Sequence, residues 1–349
     1  MKKWLVILLV LALALLFVIS NVSTAAEDKA AKWKPTFDPS GAKYKIIYSN
    51  VSHPDIKGVF TGYAIRDELW KRTNGQMYFD YRPFSQLGAE VEVLNQVVTG
   101  TIQGMSCSSV AAPTMGPPMG LVNLPYLVDT YEKMEKFAAD KKLFGQYLAS
   151  MESKGVLGVN VTGYGQYGWA TTKPVKTLDD AKKVKFRIAP APVNKLTYQA
   201  WGINPVVMPW PEVHTALQQG VIDGLDHTAL VCVLERKFEI AKFFTELNYA
   251  QGLFIWLVNK AWYNSLPPDL GKTFMDVMNE QCTKMRAETK KQQEDTIATA
   301  KKEMGVEFIK LPAKDMETLR QQGKAVHEKY AAEIGPEFLK AVQQLLDFK

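Results

Sequence analysis

The chain has 349 residues, 47% of them apolar and 22% charged, which is enough for two ordinary domains each with its own core. That balance excludes a disordered chain, a collagen-like repeat and a small disulfide scaffold. A formal charge of +6, spread evenly along the chain, is too small to indicate a nucleic-acid partner.

The first element in chain order is an export signal. Lys2 and Lys3 precede an apolar run from Trp4 to Ile19, and Ser23, Thr24, Ala25 and Ala26 follow before the acidic Glu27 and Asp28. A bilayer core needs about 20 apolar residues and a cleavable signal about 7–15, so residues 1–26 read as a signal peptide cut after Ala25 or Ala26 and not as an uncleaved anchor. No cysteine precedes Cys107, which excludes a lipid on a new N-terminal cysteine. The mature protein is expected to be soluble and periplasmic. Residues 27–42, rich in Lys, Ala and Pro and without periodicity, read as a flexible leader.

A strand over Tyr44–Tyr48 opens the fold and ends in the polar loop 49–54. Helical spacing of Ala64, Ile65, Leu69 and Trp70 predicts a helix over 63–71, stopped by Thr73-Asn74-Gly75. A strand over 76–82, a helix over 90–100 and a short strand over 102–106 come next. From Gly155 the pattern resumes: an apolar strand over 156–161, a helical turn at 178–181, a strand over 185–188, a helix over 194–201, a strand over 205–208 and a helix over 210–219. Strands alternating with helices in this way indicate βαβ units and parallel sheets. Two such regions of about 100 residues each make a bilobed α/β architecture. From Pro268 to Met304 there is no further proline and one glycine, with Phe274, Val277, Met278 and Met285 at helical spacing. This predicts a helix of about 30 residues, or about 45 Å, acting as a spine.

Several chemical motifs fail on inspection. Cys107, Cys232 and Cys282 lie too far apart for a CxxC site, and their odd number prevents complete internal pairing, so they read as buried apolar residues. Gly163-Tyr164-Gly165-Gln166-Tyr167-Gly168 matches GxGxxG, but Trp169 to Pro174 does not open the helix that a dinucleotide site requires, and the glycines read as a turn or hinge. His53, His214, His227 and His327 are not spaced as a metal set, and no nucleotide, zinc-protease or serine-hydrolase motif is present. No cofactor, metal or catalytic residue is expected.

The most distinctive stretch is Phe186-Arg187-Ile188-Ala189-Pro190, followed by Met208-Pro209-Trp210-Pro211-Glu212 and the run to Asp223-Gly224. Arg72-Thr73-Asn74-Gly75, residues 83–88 (PFSQLG), 96–100 (QVVTG), 123–126 (NLPY) and 177–180 (TLDD) occur in register with it. Together these resemble the extracytoplasmic solute-binding subunit of TRAP transporters, the DctP-type family, over residues 43–340. The resemblance implies a bilobed periplasmic-binding-protein fold with mixed, mostly parallel sheets, a hinge and a long spine helix. Lobe I is expected to comprise 43–164 with about 253–292, and lobe II 165–252 with about 293–349.

It also implies that Arg187 holds the carboxylate of a small organic acid. An arginine between Phe186 and Ile188 on a strand supports this, because an unpaired buried guanidinium is costly and its planar fork suits a carboxylate or another oxyanion. An internal Asp or Glu is the other candidate partner. Asn50, Ser108 and Ser109 match first-lobe contacts of the family. Trp210 matches an aromatic wall position that plain core packing would equally explain. Glu212 reads as a cap at a helix start. Two departures bear on specificity. His227 replaces an asparagine and, if it titrates, makes binding vary between pH 5 and 8. Tyr167 replaces an arginine of the sialic-acid binders. Tyr164, Tyr167, Trp169 and Trp210 form either an apolar wall or hinge packing. The resemblance implies a monomeric protein that is not an enzyme and hands its ligand to the small and large permease subunits. A ligand sensor for a signalling receptor, or an exported enzyme, are the alternatives.

Overall fold

The computed structural model describes residues 33–348; the signal-peptide reading of 1–26 lies outside them. Within the segment read as a leader, Pro39–Gly41 closes a 3-10 turn capped by the Asp38 carboxylate, which accepts the Ser40 N–H at 3.0 Å.

From residue 43 onward the fold is built on ten strands. In chain order the chain forms β1 (Tyr44–Ser49), α1 (Lys57–Arg72), β2 (Met77–Arg82), α2 (Glu90–Val98) and β3 (Gly104–Ser108), then α3 (Tyr131–Ala139), α4 (Lys141–Leu148) and β4 (Val156–Thr171). It continues with α5 (Leu178–Ala181), β5 (Phe186–Ile188), α6 (Pro192–Ala200), β6 (Val206–Val207), α7 (Val213–Gln218), β7 (Gly224–Thr228), α8 (Ala229–Leu234) and β8 (Phe243–Thr245). The last elements are β9 (Gln251–Asn259), α9 (Lys260–Asn264), α10 (Pro268–Glu303), β10 (Glu307–Ile309), α11 (Ala313–Ile334) and α12 (Pro336–Leu345).

The strands run in the order β2-β1-β3-β9-β4-β7-β5-β6, with β8 joining β4 to β10. β1 is parallel to β2 and β3, and β5 is parallel to β6 and β7, while β9 and β4 run antiparallel to their neighbours at the centre. One strand therefore belongs to both halves. β4 pairs with β9 up to Gln166 and with β7 and β8 from Tyr167 onward.

Most predicted elements form, and the differences have local causes. α1 begins at Lys57, ahead of the expected start at 63, because its packing face carries small residues, Gly58, Thr61 and Gly62, that apolar spacing does not register. Gly62 lies against the Tyr81 ring, where a Cβ would meet ring carbons. The GxGxxG segment is not a turn. It lies inside β4, where register shifts at Gly158/Asn160 and Gly163/Gly165 bend the strand without ending it. The expected helix over 210–219 is divided into a 3-10 turn at Trp210–Glu212 and α7, since Pro209 and Pro211 withhold backbone donors. Glu212 makes no side-chain cap at that helix. The spine helix α10 is 36 residues long, about 54 Å.

Two apolar cores lie under the two halves. The first gathers Val93, Met105, Phe137, Val161 and Ile255; the second gathers Ala170, Leu217, Leu225, Phe238 and Phe244. α11 and α12 insert Val326, Tyr330, Phe338 and Val342 into the first core. The apolar faces of these helices match the surface left open by α3, α4 and the 117–123 turn, which short-range patterns do not reveal. All three cysteines are buried and unpaired.

Candidate ligand-binding site

The carboxyl ends of the parallel strands in both halves face one cavity, where ligands of open α/β sheets bind. From the first half come Val51 and Ser52 after β1, Ser108 and Val110 after β3, and Glu90 at the start of α2. From the second come Arg187 on β5, Trp210 after β6, and Asp226 and His227 on β7. Tyr164 and Tyr167 on β4 and Phe254 on β9 close its back.

Arg187 is 2% exposed, and its Nε–H and one Nη2–H both donate to the Met208 carbonyl, at 2.9 and 2.7 Å. That fixes the fork and leaves three of its five donors for something else. Among the described residues no carboxylate oxygen lies within 4 Å of it, so an internal acid partner is not what holds it. Burial lowers its pKa to about 10, against the opposing pull of Tyr167, Asp226 and Glu90, and it stays charged at neutral pH. The guanidinium carbon lies 5.3 Å from the centre of the Trp210 ring. The Trp210 N–H donates to Glu235 at 2.7 Å, and the same carboxylate accepts the His53 N–H at 3.0 Å.

His227 is buried, and burial with the nearby Arg187 and Lys237 charges holds its pKa well below the ordinary 6.5. Its Nδ1 accepts the Thr228 N–H at 2.9 Å, which leaves Nε2–H as a donor. Burial and the neighbouring charges favour the neutral imidazole, which weighs against a His227 titration between pH 5 and 8. Asp226 is the group that moves there: desolvation raises it to about 6, against hydrogen bonds from Tyr249 (2.7 Å) and Asn194 (3.1 Å). Glu90 accepts the Ser108 N–H at 2.6 Å and its hydroxyl at 2.7 Å, and burial raises its pKa too.

Five of the seven residues singled out in the sequence, Ser108, Tyr167, Arg187, Trp210 and His227, line this cavity. Asn50 and Ser109 do not. The Asn50 amide donates to the Ser106 carbonyl and hydroxyl and its Oδ1 accepts the Ser52 N–H, so the side chain is consumed in shaping the loop. The Ser109 hydroxyl donates to Asn123 at 2.9 Å. Of the aromatic group, Trp169 is in the core, donating to Tyr198 at 2.8 Å. Sequence reasoning missed Glu90, Asn194 and Asp226. Asp226 stands next to His227 in the chain, but strand alternation by itself does not show that both reach the cavity.

Residues 52–333 match the family model of bacterial extracellular solute-binding proteins, family 7. The chain belongs to this DctP family. It is 30% identical to the 2,3-diketo-L-gulonate-binding periplasmic protein of Escherichia coli over 70% of this chain and 74% of that one. It is 29% identical to the C4-dicarboxylate-binding periplasmic protein of Rhodobacter capsulatus over 85% and 90%. A TRAP periplasmic solute-binding protein from Desulfovibrio salexigens, solved with orotic acid, superposes with a TM-score of 0.82 at 24% identity, covering 87% of this chain and 99% of that one. The DctP family is one of solute-binding proteins, which are not enzymes, and this member has their fold. Among the described residues no helix is long and apolar enough to cross a membrane.

Proposed function

We propose that this solute-binding protein works in the periplasm, captures a small organic anion between two lobes and delivers it to the two membrane subunits of a TRAP permease. The observation that carries the assignment of the site is Arg187: a buried guanidinium oriented by a backbone carbonyl, bearing free donors and no acid within 4 Å. A buried charge of that kind is stabilised when an oxyanion arrives, by two parallel charge-assisted hydrogen bonds. Ser108, Tyr167, Trp210 and His227 complete the wall. The ligands for which related proteins are named support the chemical class, since they include a diketo sugar acid, C4-dicarboxylates and succinate.

The two lobes consist of 43–164 with about 253–292, and 165–252 with the following part of α10, while the packing of α11 and α12 favours their assignment to the first. β4 crosses between the lobes, and its bend at Gly165, φ +108°, marks the hinge. Closure is driven by ligand because the ligand touches both halves. Isothermal titration of the exported protein against small carboxylates and sulfonates tests the reading. Arg187→Ala is expected to weaken the best ligand by about 30-fold or more, the cost of truncating one partner of a buried charge pair. Unchanged affinity would remove Arg187 from the site.

A further inference from the structure

The cavity holding Arg187 holds two carboxyl groups and a single cation. Arg187 is the only Arg or Lys side chain among its lining residues, Glu90 and Asp226 are acids, and burial with the nearby cations pushes His227 toward its neutral form. Lys237 sits behind the Trp210 ring, 4.7 Å from its centre, and does not line the cavity. Asp226 uses Oδ2 on Tyr249 and Asn194, and the nearby Tyr198 hydroxyl also favours its charged form, while its Oδ1 is buried without a hydrogen bond of normal geometry; the Asn194 carbonyl oxygen is in the same condition. Both residues are 3% exposed. Each such orphaned acceptor costs about 1–3 kcal/mol, and two on adjacent side chains are relieved together by a donor that enters the cavity. Each Glu90 oxygen takes one bond from Ser108 and retains lone-pair capacity. A second anion on the ligand would face these carboxyls with no cation to balance it.

We propose that the ligand is a small molecule with one oxyanion for Arg187 and a hydrogen-bond donor, hydroxyl or ammonium, for Asp226, Asn194 and Glu90, and that dianions are rejected. This rests on the anion-capture reading of the same cavity and narrows it. It also separates the chain from its relative named for C4-dicarboxylates.

The test is calorimetry of the exported protein at pH 7.5 against a matched series, X–CH2–CH2–COO⁻, with X hydroxyl, ammonium, hydrogen or carboxylate, and against the sulfonates with the first three. The hydroxyl or ammonium member is expected to bind at least tenfold more tightly than the hydrogen and carboxylate members, and the stronger of the two identifies the donor. Asp226→Asn is expected to reduce the disadvantage of succinate at least fivefold, and Glu90→Gln serves the same purpose should that variant fail to fold. Succinate binding as well as 3-hydroxypropanoate overturns the proposal and leaves anion capture standing. Binding of galactonate with none of the series overturns a ligand of this small size and leaves the pairing of one oxyanion with a donor standing. Absence of all acid binding overturns the reading of the cavity as well.

Discussion

Two buried arginines in this molecule do opposite things. Arg286 is 6% exposed and uses four of its five donors: it donates to both oxygens of Glu135 (2.7 and 3.1 Å), to Asn160 (2.8 Å) and to the Val161 carbonyl (3.2 Å). Arg187 is equally buried and half-satisfied. Arg286→Ala is expected to cost about 1–3 kcal/mol of stability, measured by denaturant unfolding, because buried Asn160 loses a donor while half-exposed Glu135 is taken up by water. Arg187→Ala is expected to leave stability unchanged or raised, its loss appearing in binding. The pH response belongs to the same scale. Asp226, raised to about 6, is protonated below that value and ionised above it, so it repels an anion increasingly as pH rises through 6. The raised carboxyl also makes the folded state less favourable as pH climbs from about 4 to 6. For ethanesulfonate, which stays anionic throughout, affinity is expected to fall several-fold from pH 5 to 7.5. Glu90, also raised, acts in the same sense, and burial holds His227 toward its neutral form. Asp226→Asn should flatten the profile and His227→Asn should not; the reverse result would reassign the titration.

At the scale of elements, β4 does the most to assemble the site. Its 16 residues cross from one half of the sheet to the other, and Tyr164 and Tyr167, whose hydroxyls are 2.7 Å apart, point into the cavity from either side of the crossing. Gly165 makes this possible. At φ +108° a side chain is strained, and a Cβ would meet the Gln293 amide oxygen at 2.7 Å and Thr228 at 3.0 Å. Gln293 is itself fixed, accepting the Gln166 N–H and the Tyr131 hydroxyl. Gly165→Ala is expected to destabilise by about 1–3 kcal/mol, seen as a lowered melting temperature, with weakened ligand binding as the two tyrosines shift. α2 makes a smaller contribution. Glu90, its first residue, is held by Ser108, so the end of β3 and the start of α2 present one polar unit.

Over the whole molecule, the halves are tied at two levels. α10 runs along both: Gln292 accepts the Lys57 N–H and donates to the Asp55 carbonyl, and Ala300 enters the second core. On the cavity side Glu235 joins the loop after β1 to the Trp210 wall, accepting from one residue of each half. Burial raises its pKa, the mark of a carboxylate enclosed by the contact it makes. Removing an acceptor that serves two donors costs about 1–3 kcal/mol. Glu235→Ala is therefore expected to weaken ligand binding of the order of tenfold, mainly through faster release, which stopped-flow dissociation measures. An unchanged release rate would show that this contact does not stabilise the ligand-holding arrangement.

The sequence by itself determined the α/β class and the family, and it singled out Arg187 as the anion anchor proposed above. These rest on local signals: alternating strand and helix patterns, proline and glycine punctuation, and motifs whose residues stand together in the chain. Arg187 was legible for that reason. Only the tertiary structure decided that Asn50 and Ser109 are consumed in loop and core bonds while Glu90, Asn194 and Asp226 reach the cavity. Which donors and acceptors stay unpaired depends on neighbours far away in the chain, such as Tyr249 for Asp226 and Ser108 for Glu90. The titration of His227 turned on the same point, because burial and a neighbouring guanidinium set its charge. Nor does periodicity show that α11 and α12 close the first core, since an amphipathic helix carries no record of which surface it covers.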